Sequence, residues 1–482
     1  MTIRKIISFL AATFLLTGAS AQEKWDLKRA VEFAVANNIS VKQADVQARI
    51  AALNLKQSRL QQIPSVNITG SGGVYGGRSI DPTTNQFTNQ QILSTQFGLN
   101  SGVTLFNFFS IKNNIEGNRL DNEAAMINVD KIRNDISLNV ATAYLQILVA
   151  IEQENIAKVA VQQTLVNLDN TRKRVEAGAL PELNLAELEA QLARDSTTLI
   201  TQEATVRSNK LRLKAILNLD AAEPFDVTTP PLDQIPVESL GELLPEDVFN
   251  LAVVNLPQQK VLNKRIEAAR KFVQAARGQM YPSFGMFAGL GSQYSNNQRV
   301  AFGDPIFTNT FSPTGAKVTV DNIDYQVLQP NFTVPQTVFR EKFGPQISDN
   351  FRQNVGLQMN IPLFNNGQAR TAWERSKLNV NTLELQKDQD LVTLKQDIYI
   401  AYNDATAAVQ RFAAGQKAVA TAEKAYNFAT KRYELGLLST IDLLTNQNNL
   451  NRAKVELSQA HVDYIFRLKL LEFYKGAGIK LQ

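Results

Sequence analysis

The sequence predicts a membrane β-barrel joined to an α-helical barrel, with one structural plan repeated twice along the chain. Three observations predict this fold class. The motif R-x-E-x-G-x-L occurs at residues 174–180 and again at 432–438, an offset of 258. Each copy lies between long stretches of helical periodicity, and each helical region follows a pair of alternating apolar and polar segments. The N-terminus has the pattern of an export signal.

Each copy of the motif is predicted to form a tight turn between two helices. Gly178 and Gly436 stand where the outgoing helix would end, and glycine is common there because it adopts positive φ without strain. New helices are expected to begin at 181–182, where a proline precedes an acid, and at 439–442, where Ser and Thr precede an acid. Both repeats therefore carry a helical hairpin with a glycine at its tip.

Composition excludes several classes of function. The chain has 482 residues and a net charge of +5, which is too small for a nucleic-acid-binding protein of this length. It has no cysteine and a single histidine, His461, so thiolate zinc sites, cysteine nucleophiles and Ser-His-Asp triads are not expected. We predict no enzymatic activity, no cofactor and no metal, and we interpret His461 as a residue of a helix surface or interhelical contact.

Residues 1–21 are predicted to be a secretory signal peptide. Arg4 and Lys5 form its charged region, an apolar run follows, and residues 19–21 read Ala-Ser-Ala, which is a cleavage-site pattern. The apolar run is shorter than the ~20 residues that a membrane-spanning helix needs. No later segment is expected to cross a membrane as a helix.

The remaining chain divides into two predicted repeats that differ by 40 residues, because the second repeat is longer between its strands, mostly in 295–350. Five prolines interrupt the region between the repeats and prevent regular helix there. The first repeat is predicted at 22–219, with strands at about 66–76 and 94–106 and a hairpin tip at about 174–182. A linker follows at 220–245. The second repeat is predicted at 246–475, with strands at about 283–294 and 351–364 and a hairpin tip at about 432–440, and a C-terminal tail follows at 476–482.

The returning helices of both hairpins carry apolar residues at intervals of seven. This spacing predicts coiled-coil-like packing against the outgoing helix, and the polar residues on the other faces indicate contact with water. The seam residues are Leu185, Leu192, Leu199, Val206 and Leu213 in the first repeat, and Leu443, Leu450, Leu457, Tyr464 and Leu471 in the second.

Four strands per chain cannot close a barrel alone, since the smallest membrane barrels have about eight strands and open edges are not tolerated in lipid. Several copies must contribute four strands each, and a dimer, a trimer and a tetramer all satisfy this requirement. The outgoing helices hold roughly 66 residues, or ~100 Å, which predicts that both tips lie far from the strands. A soluble protein with small β domains on coiled coils is the alternative, and the alternation of all four segments favours the barrel.

With these features in place, the chain resembles the TolC family of outer-membrane efflux and secretion ducts over essentially the whole mature sequence. The most specific match is the segment 432–436 followed by 439–444. The resemblance implies a homotrimer with a twelve-stranded barrel in outer-membrane lipid and a helical tunnel in the periplasm. It also implies that the tips dock on a periplasmic adaptor protein coupled to an inner-membrane exporter, with no nucleic-acid partner.

The repeat and the resemblance together nominate three sets of residues. We expect the adaptor to contact Gly178, Ala179, Leu180, Gly436, Leu437 and Leu438. We expect interhelical pairs that stabilise the tips to involve Arg174, Glu176, Arg432 and Glu434. The tunnel-mouth constriction is expected at Asn427 and Thr430. The best-known family member has acidic residues at these positions. Because rings of acidic residues select cations, the neutral residues here predict weaker cation selectivity.

The expected function is a passive exit duct for a tripartite efflux or type I secretion system, which carries substrates from an inner-membrane pump to the outside. The alternative is a trimeric surface adhesin or structural envelope protein that uses the 295–350 loop.

Overall fold

The computed structural model describes residues 24–80, 86–229, 235–302, 304–333 and 337–476. The predicted signal peptide, part of the linker and most of the tail lie outside these residues. The chain divides into two compact units. A helical unit takes Met1–Leu55, Glu116–Lys271 and Ser376–Gln482, and a sheet unit takes Lys56–Ile115 and Phe272–Arg375.

Long helical hairpins dominate the described residues. The two outgoing helices have 67 residues each, and the returning helices have 36 and 35. In chain order the α-helices are α1 (Leu27–Asn37), α2 (Ile39–Leu60), α3 (Ser110–Glu176), α4 (Glu182–Leu217), α5 (Pro245–Asn255), α6 (Pro257–Gly278), α7 (Phe343–Asp349), α8 (Gln368–Glu434) and α9 (Thr440–Tyr474).

Before each strand pair, the sequence predicts one continuous helix, over about 25–63 and 245–280, and each of these helices is broken once in the structure. Asn38 adopts an extended conformation between α1 and α2, where its side chain accepts from the amide of Ser40 and donates to the carbonyl of Ile216. Leu256 is extended between α5 and α6 because the residue before a proline avoids the helical region, and Pro257 starts α6. The predicted single helices are therefore two pairs of shorter ones.

The helical unit is held by buried apolar clusters along the predicted seam. Every seam position is buried or half-buried, and Leu213, Leu443 and Leu471 are fully buried. The start of the linker joins the same core, because the hydroxyl of Tyr144 lies 2.7 Å from the carbonyl oxygen of Thr228. The seam pattern thus predicted the packing faces of both returning helices.

Truncating a seam residue should destabilise the helical unit. Leu443 is 0% exposed in a cluster that includes Tyr426 and Leu450, so Leu443→Ala should lower the free energy of unfolding by about 3 kcal/mol. Ile441, 60% exposed on the same turn, is the matched control, and Ile441→Ala should change it by about 0.5 kcal/mol. Urea unfolding followed by far-ultraviolet circular dichroism measures both; equal losses would contradict the packing described.

Four strands form one antiparallel sheet in the order β1-β4-β5-β10. Their bounds are β1 (Ser65–Tyr75), β4 (Ile92–Phe106), β5 (Ser283–Ser295) and β10 (Arg352–Asn360). These lie close to the predicted strand segments, although β10 ends at Asn360, before the predicted 364. Within the described residues, the outer edges of β1 and β10 pair with no other strand.

The sheet has one apolar and one polar face. Cross-strand partners share a face, and the rows Ile68–Leu99–Leu290 and Met286–Leu357 lie on the same side. Ile68 and Leu357 are 82% and 76% exposed. A continuous exposed apolar face of this kind marks contact with lipid or protein.

The prediction of four strands was incomplete, because six further strands pair outside this sheet. The segment 295–350 was expected to be a long loop, but much of it is regular. Asp321 and Asn322, both at positive φ, form a two-residue turn of the kind that joins hairpin strands. The additional pairs are β2 (Arg78–Ile80) with β3 (Phe87–Asn89), β6 (Arg299–Phe302) with β9 (Thr337–Arg340), and β7 (Ile306–Val320) with β8 (Ile323–Thr333).

The junctions between strand and helix repeat the same backbone conformation in both halves. Phe108 and Phe109 have φ of 49° and 63°, and Asn366 and Gly367, 258 positions later, have φ of 54° and 75°. Phe108 stacks on Tyr281 with ring centroids 4.9 Å apart. The aromatic ring contacts hold a left-handed backbone that costs roughly 1–2 kcal/mol per non-glycine residue.

One helix of the described residues, α3, contains an 18-residue window that is long and apolar enough to cross a membrane. The sequence-based expectation of no such segment was therefore too strict. The window is 44% buried inside the protein, and the core helix of a soluble protein passes the same test, so this is weak evidence for a helical span.

Candidate functional site at the hairpin tips

The first tip is a Schellman turn, in which the backbone closes the helix end with two hydrogen bonds. Gly178 has φ +72°, and its amide donates to the carbonyl of Val175 at 2.8 Å. The amide of Ala179 donates to the carbonyl of Arg174, also at 2.8 Å. Glycine at this position therefore follows from the backbone conformation, as the sequence predicted.

The second tip has the same geometry. Gly436 has φ +72°, and the amide of Leu437 donates to the carbonyl of Arg432 at 2.8 Å. Ser439 then caps α9, because its hydroxyl accepts from the amide of Asp442 at 3.1 Å. The two copies of the motif thus build two equivalent turns.

The two tips contact each other through Tyr433, a residue that the sequence analysis did not single out. Its hydroxyl lies 2.8 Å from that of Thr171 and 3.4 Å from that of Thr440. Arg174 donates to the carbonyl of Tyr433 at 3.2 Å, and its guanidinium carbon lies 5.9 Å from the centre of the tyrosine ring. Because Tyr433, Thr171 and Thr440 are all buried, this contact joins the two hairpins of one chain.

Within one chain, the part of the protein that the structure describes shows no ion pair between the repeated Arg and Glu. Among the residues described, neither Glu176 nor Glu434 comes within salt-bridge distance of a basic group, and Arg432 meets no acid. Arg174 makes a tip contact with the backbone of the other hairpin.

The expected adaptor-contacting residues differ in exposure. Gly178, Ala179 and Gly436 are exposed, and Leu437 is 65% exposed. The other two leucines are half-buried; Leu438 packs on the cluster around Tyr433, and Leu180 is its counterpart in the first tip. Leu435, 73% exposed, is a further apolar tip residue that the sequence analysis did not nominate.

The two residues expected at the tunnel mouth lie on α8, in the last turns before the second tip. Asn427 is exposed, whereas Thr430 is half-buried and donates to the carbonyl of Tyr426 at 2.9 Å. Phe428, 67% exposed, lies between them. No charge occurs at either predicted position.

A buried polar layer joins α3, α4 and α9 behind the tips. Thr164 donates to a carboxylate oxygen of Asp195 at 2.6 Å, and Gln191 donates to the other at 2.8 Å. Gln447 donates to the hydroxyl of Thr164 at 2.9 Å. The Oε1 atom of Gln447 is buried and has no hydrogen-bond partner among the described residues. The hydrogen bonding of this layer is therefore incomplete at this atom.

No group of three or more His, Cys, Asp or Glu side chains among the described residues could hold a metal ion. His461 stacks on Phe412 with ring centroids 4.5 Å apart, in the interhelical position expected for it.

A sheet with one apolar and one polar face, in a chain with two long helical hairpins, is the architecture expected of an outer-membrane channel with a helical tunnel. The family model described as outer membrane efflux protein matches residues 30–219 and 248–474. The chain therefore belongs to the outer membrane efflux protein family, which confirms the resemblance to the TolC family. Members of this family are channels rather than enzymes. The protein is accordingly an outer-membrane protein.

Individual relatives are distant in sequence but similar in fold. The outer membrane efflux protein BepC of Brucella suis is 20% identical over 459 residues, which cover 94% of this chain and 85% of BepC. The alkaline protease secretion protein AprF of Pseudomonas aeruginosa is 20% identical over 73% of this chain, and the match spans only 64% of AprF. The crystal structure of the Campylobacter jejuni CmeC outer membrane channel matches with a TM-score of 0.72 at 16% identity, covering 95% of this chain and 86% of CmeC.

Proposed function

We propose that this protein is a passive outer-membrane exit duct for substrates delivered by an inner-membrane exporter. The observation that carries the proposal is the four-stranded sheet, which has an exposed apolar face, a polar face and two unpaired edges among the described residues. Open edges are not tolerated in lipid. Further copies of the sheet would close them and place the polar face around a channel.

The assembly we propose is a homotrimer, with twelve strands in outer-membrane lipid and the helical hairpins in the periplasm. The tips would contact a periplasmic adaptor protein, and the adaptor would couple the duct to the exporter. The exposed glycine turns and the exposed side chains of Leu435 and Leu437 support a docking role, since they present backbone and apolar surface at the chain reversal.

Conductance tests the proposal directly. The purified full-length protein, inserted into planar lipid bilayers, should give discrete ion-conducting steps. Cross-linking in detergent should stop at three copies. A protein that assembles and inserts but conducts no ions would contradict the duct.

The tunnel mouth should not bind divalent cations tightly. Because Asn427 and Thr430 are neutral, submillimolar divalent cations should leave the wild-type conductance unchanged. Asn427→Asp should introduce cation block, whereas Asn322→Asp, which adds the same charge in the β7–β8 turn, should not. Single-channel recording with and without divalent cations measures the block; tight submillimolar block of the wild type would disprove the assignment of this mouth.

The surface adhesin alternative is favoured by one observation, the exposed apolar side chains of the β7–β8 hairpin. Val318, Ile323 and Tyr325 are more than half exposed. Deletion of residues 306–333 separates the two functions. A duct should retain conductance and export after the deletion, whereas an adhesin should lose its surface binding.

A further inference from the structure

The four strands of the open sheet contain one charged residue. Strands β1, β4 and β5, of 11, 15 and 13 residues, have neither acid nor base. The nine-residue strand β10 has one base, Arg352, at its first position. No opposite charge within the four strands compensates this single charge.

The strand register places Arg352 on the polar face. It pairs with Gly291 of β5, which pairs with Gly98 of β4, which in turn pairs with Thr69 of β1. Partners across neighbouring strands share a face, so Arg352 lies in a row with two glycines and a threonine. Its guanidinium is the longest group of that row.

The polar face around Arg352 is an open hollow lined by small and amide side chains. The hollow measures about 570 Å³, and its lining includes Arg352, Asn354 and Asn100. Gly289, between the two asparagines in the register, leaves room for them, because a Cβ atom there would clash with the Oδ1 atom of Asn354. No carboxylate contributes to this lining.

Arg352 is exposed, and no acidic side chain among the described residues lies within salt-bridge distance of it. It occurs toward the end of the sheet where β5 continues into β6, and the opposite ends of β5 and β10 lead to helices. In the proposed duct, this end faces the outside.

We propose that Arg352 makes the outer part of the duct selective for anions. The inference rests on the proposed function, because one arginine per chain becomes a ring of like charges only when copies close the barrel. Charged rings select ions by their field, and a low-dielectric wall focuses that field into the lumen. Small inorganic anions and anionic organic substrates would be attracted at this level, and cations repelled.

Reversal potentials in planar bilayers test the proposal with chloride and potassium as the probe ions. Under a KCl gradient at low salt, the wild type should pass chloride in preference to potassium. Arg352→Gln should lower the chloride-to-potassium permeability ratio about twofold or more. Arg352→Glu should lower this ratio further than Arg352→Gln does. Arg352→Lys keeps the charge and should retain the wild-type ratio.

Arg340→Gln is the matched control, because it removes the same charge from β9, outside the four-stranded sheet. It should leave the permeability ratio unchanged. An equal shift in both variants, or no shift with Arg352→Gln and Arg352→Glu, would overturn the assignment of selectivity to Arg352.

The salt dependence of the permeability ratio and the wild-type conductance distinguish the remaining outcomes. If the Gln variant does not insert, the salt dependence of the wild type provides the test. The chloride-to-potassium permeability ratio should approach one as KCl rises from about 0.01 M to 1 M, since the screening length falls from about 30 Å to 3 Å. A permeability ratio independent of salt overturns the inference. Absence of any wild-type conductance rejects the duct itself, whereas normal conductance with an unaltered ratio in the variants rejects only the role of Arg352.

Discussion

Replacing Gly178 and Gly436 together with valine should abolish adaptor association and export. Both glycines have φ +72°, and a side chain in this region costs roughly 1–2 kcal/mol per residue, more for a β-branched one. The turn would relax to another backbone conformation and lose the two hydrogen bonds that close each helix. Co-purification with the cognate adaptor and a substrate export assay measure the two effects.

The effect should come from backbone conformation rather than from crowding. A Cβ atom at Gly178 meets no atom within 4 Å, and one at Gly436 lies 3.6 Å from the Nη2 atom of Arg174. Gly315→Val in strand β7 is the matched control, because it has φ +82° and equally open space. It should retain adaptor binding. If the double valine variant binds adaptor and exports normally, the tips are not the docking site.

Removing the contact between the two hairpins should increase the open fraction of the duct. Tyr433→Phe removes the bonds of the hydroxyl to Thr171 and Thr440, and Arg174→Leu removes the bond to the Tyr433 carbonyl. Two of these three bonds, those of Thr171 and Arg174 with Tyr433, join the two hairpins, so at about 1 kcal/mol per bond the double variant loses roughly 2 kcal/mol of contact energy between them. That corresponds to a roughly 30-fold shift toward separated hairpins. Single-channel recording should show longer and larger openings.

Tyr426→Phe is the matched control for this experiment. Tyr426 is buried in the same cluster as Tyr433, but its hydroxyl forms no hydrogen bond among the described residues. Its conductance should equal that of the wild type. An unchanged open fraction in the Tyr433 and Arg174 double variant would show that the tips are not held together by this contact.

Much of the fold could be predicted from the sequence because its signals are local. The heptad seam, the tip glycines and the alternating strands each follow from spacing along the chain. The signal for one helix break was also present, since Pro257 disfavours helix at Leu256. The break at Asn38 was harder to predict, because it depends on a hydrogen bond to Ile216, 178 positions away.

The β7–β8 hairpin was missed although its signal was present. Val318 and Val320 alternate with polar residues before Asp321 and Asn322, and apolar alternation resumes at Ile323. That pattern around a two-residue turn is typical of a hairpin. The segment has no counterpart in the first repeat, so the offset between the repeats does not reveal it.

The functional site was predicted less completely than the fold. The motif located both turns, and their glycines have the expected conformation. It could not show that Tyr433 meets Thr171, because the two residues are 262 positions apart. Likewise, the repeated Arg and Glu suggested interhelical pairs by charge alone, whereas Arg174 donates to the backbone carbonyl of Tyr433, 259 positions away.

The buried amides and hydroxyls behind the tips affect the energetics of hairpin separation. Separating an all-leucine contact costs about 25 cal/mol per Å² of apolar area exposed to water. Here the unpartnered Oε1 atom of Gln447 would gain a hydrogen bond from entering water, which offsets part of that cost. The same layer makes successive heptads inequivalent, because a shift by seven residues between the hairpins would separate Gln447 from Thr164 and Gln191 from Asn448. The two hairpins can therefore separate and close again while returning to one register.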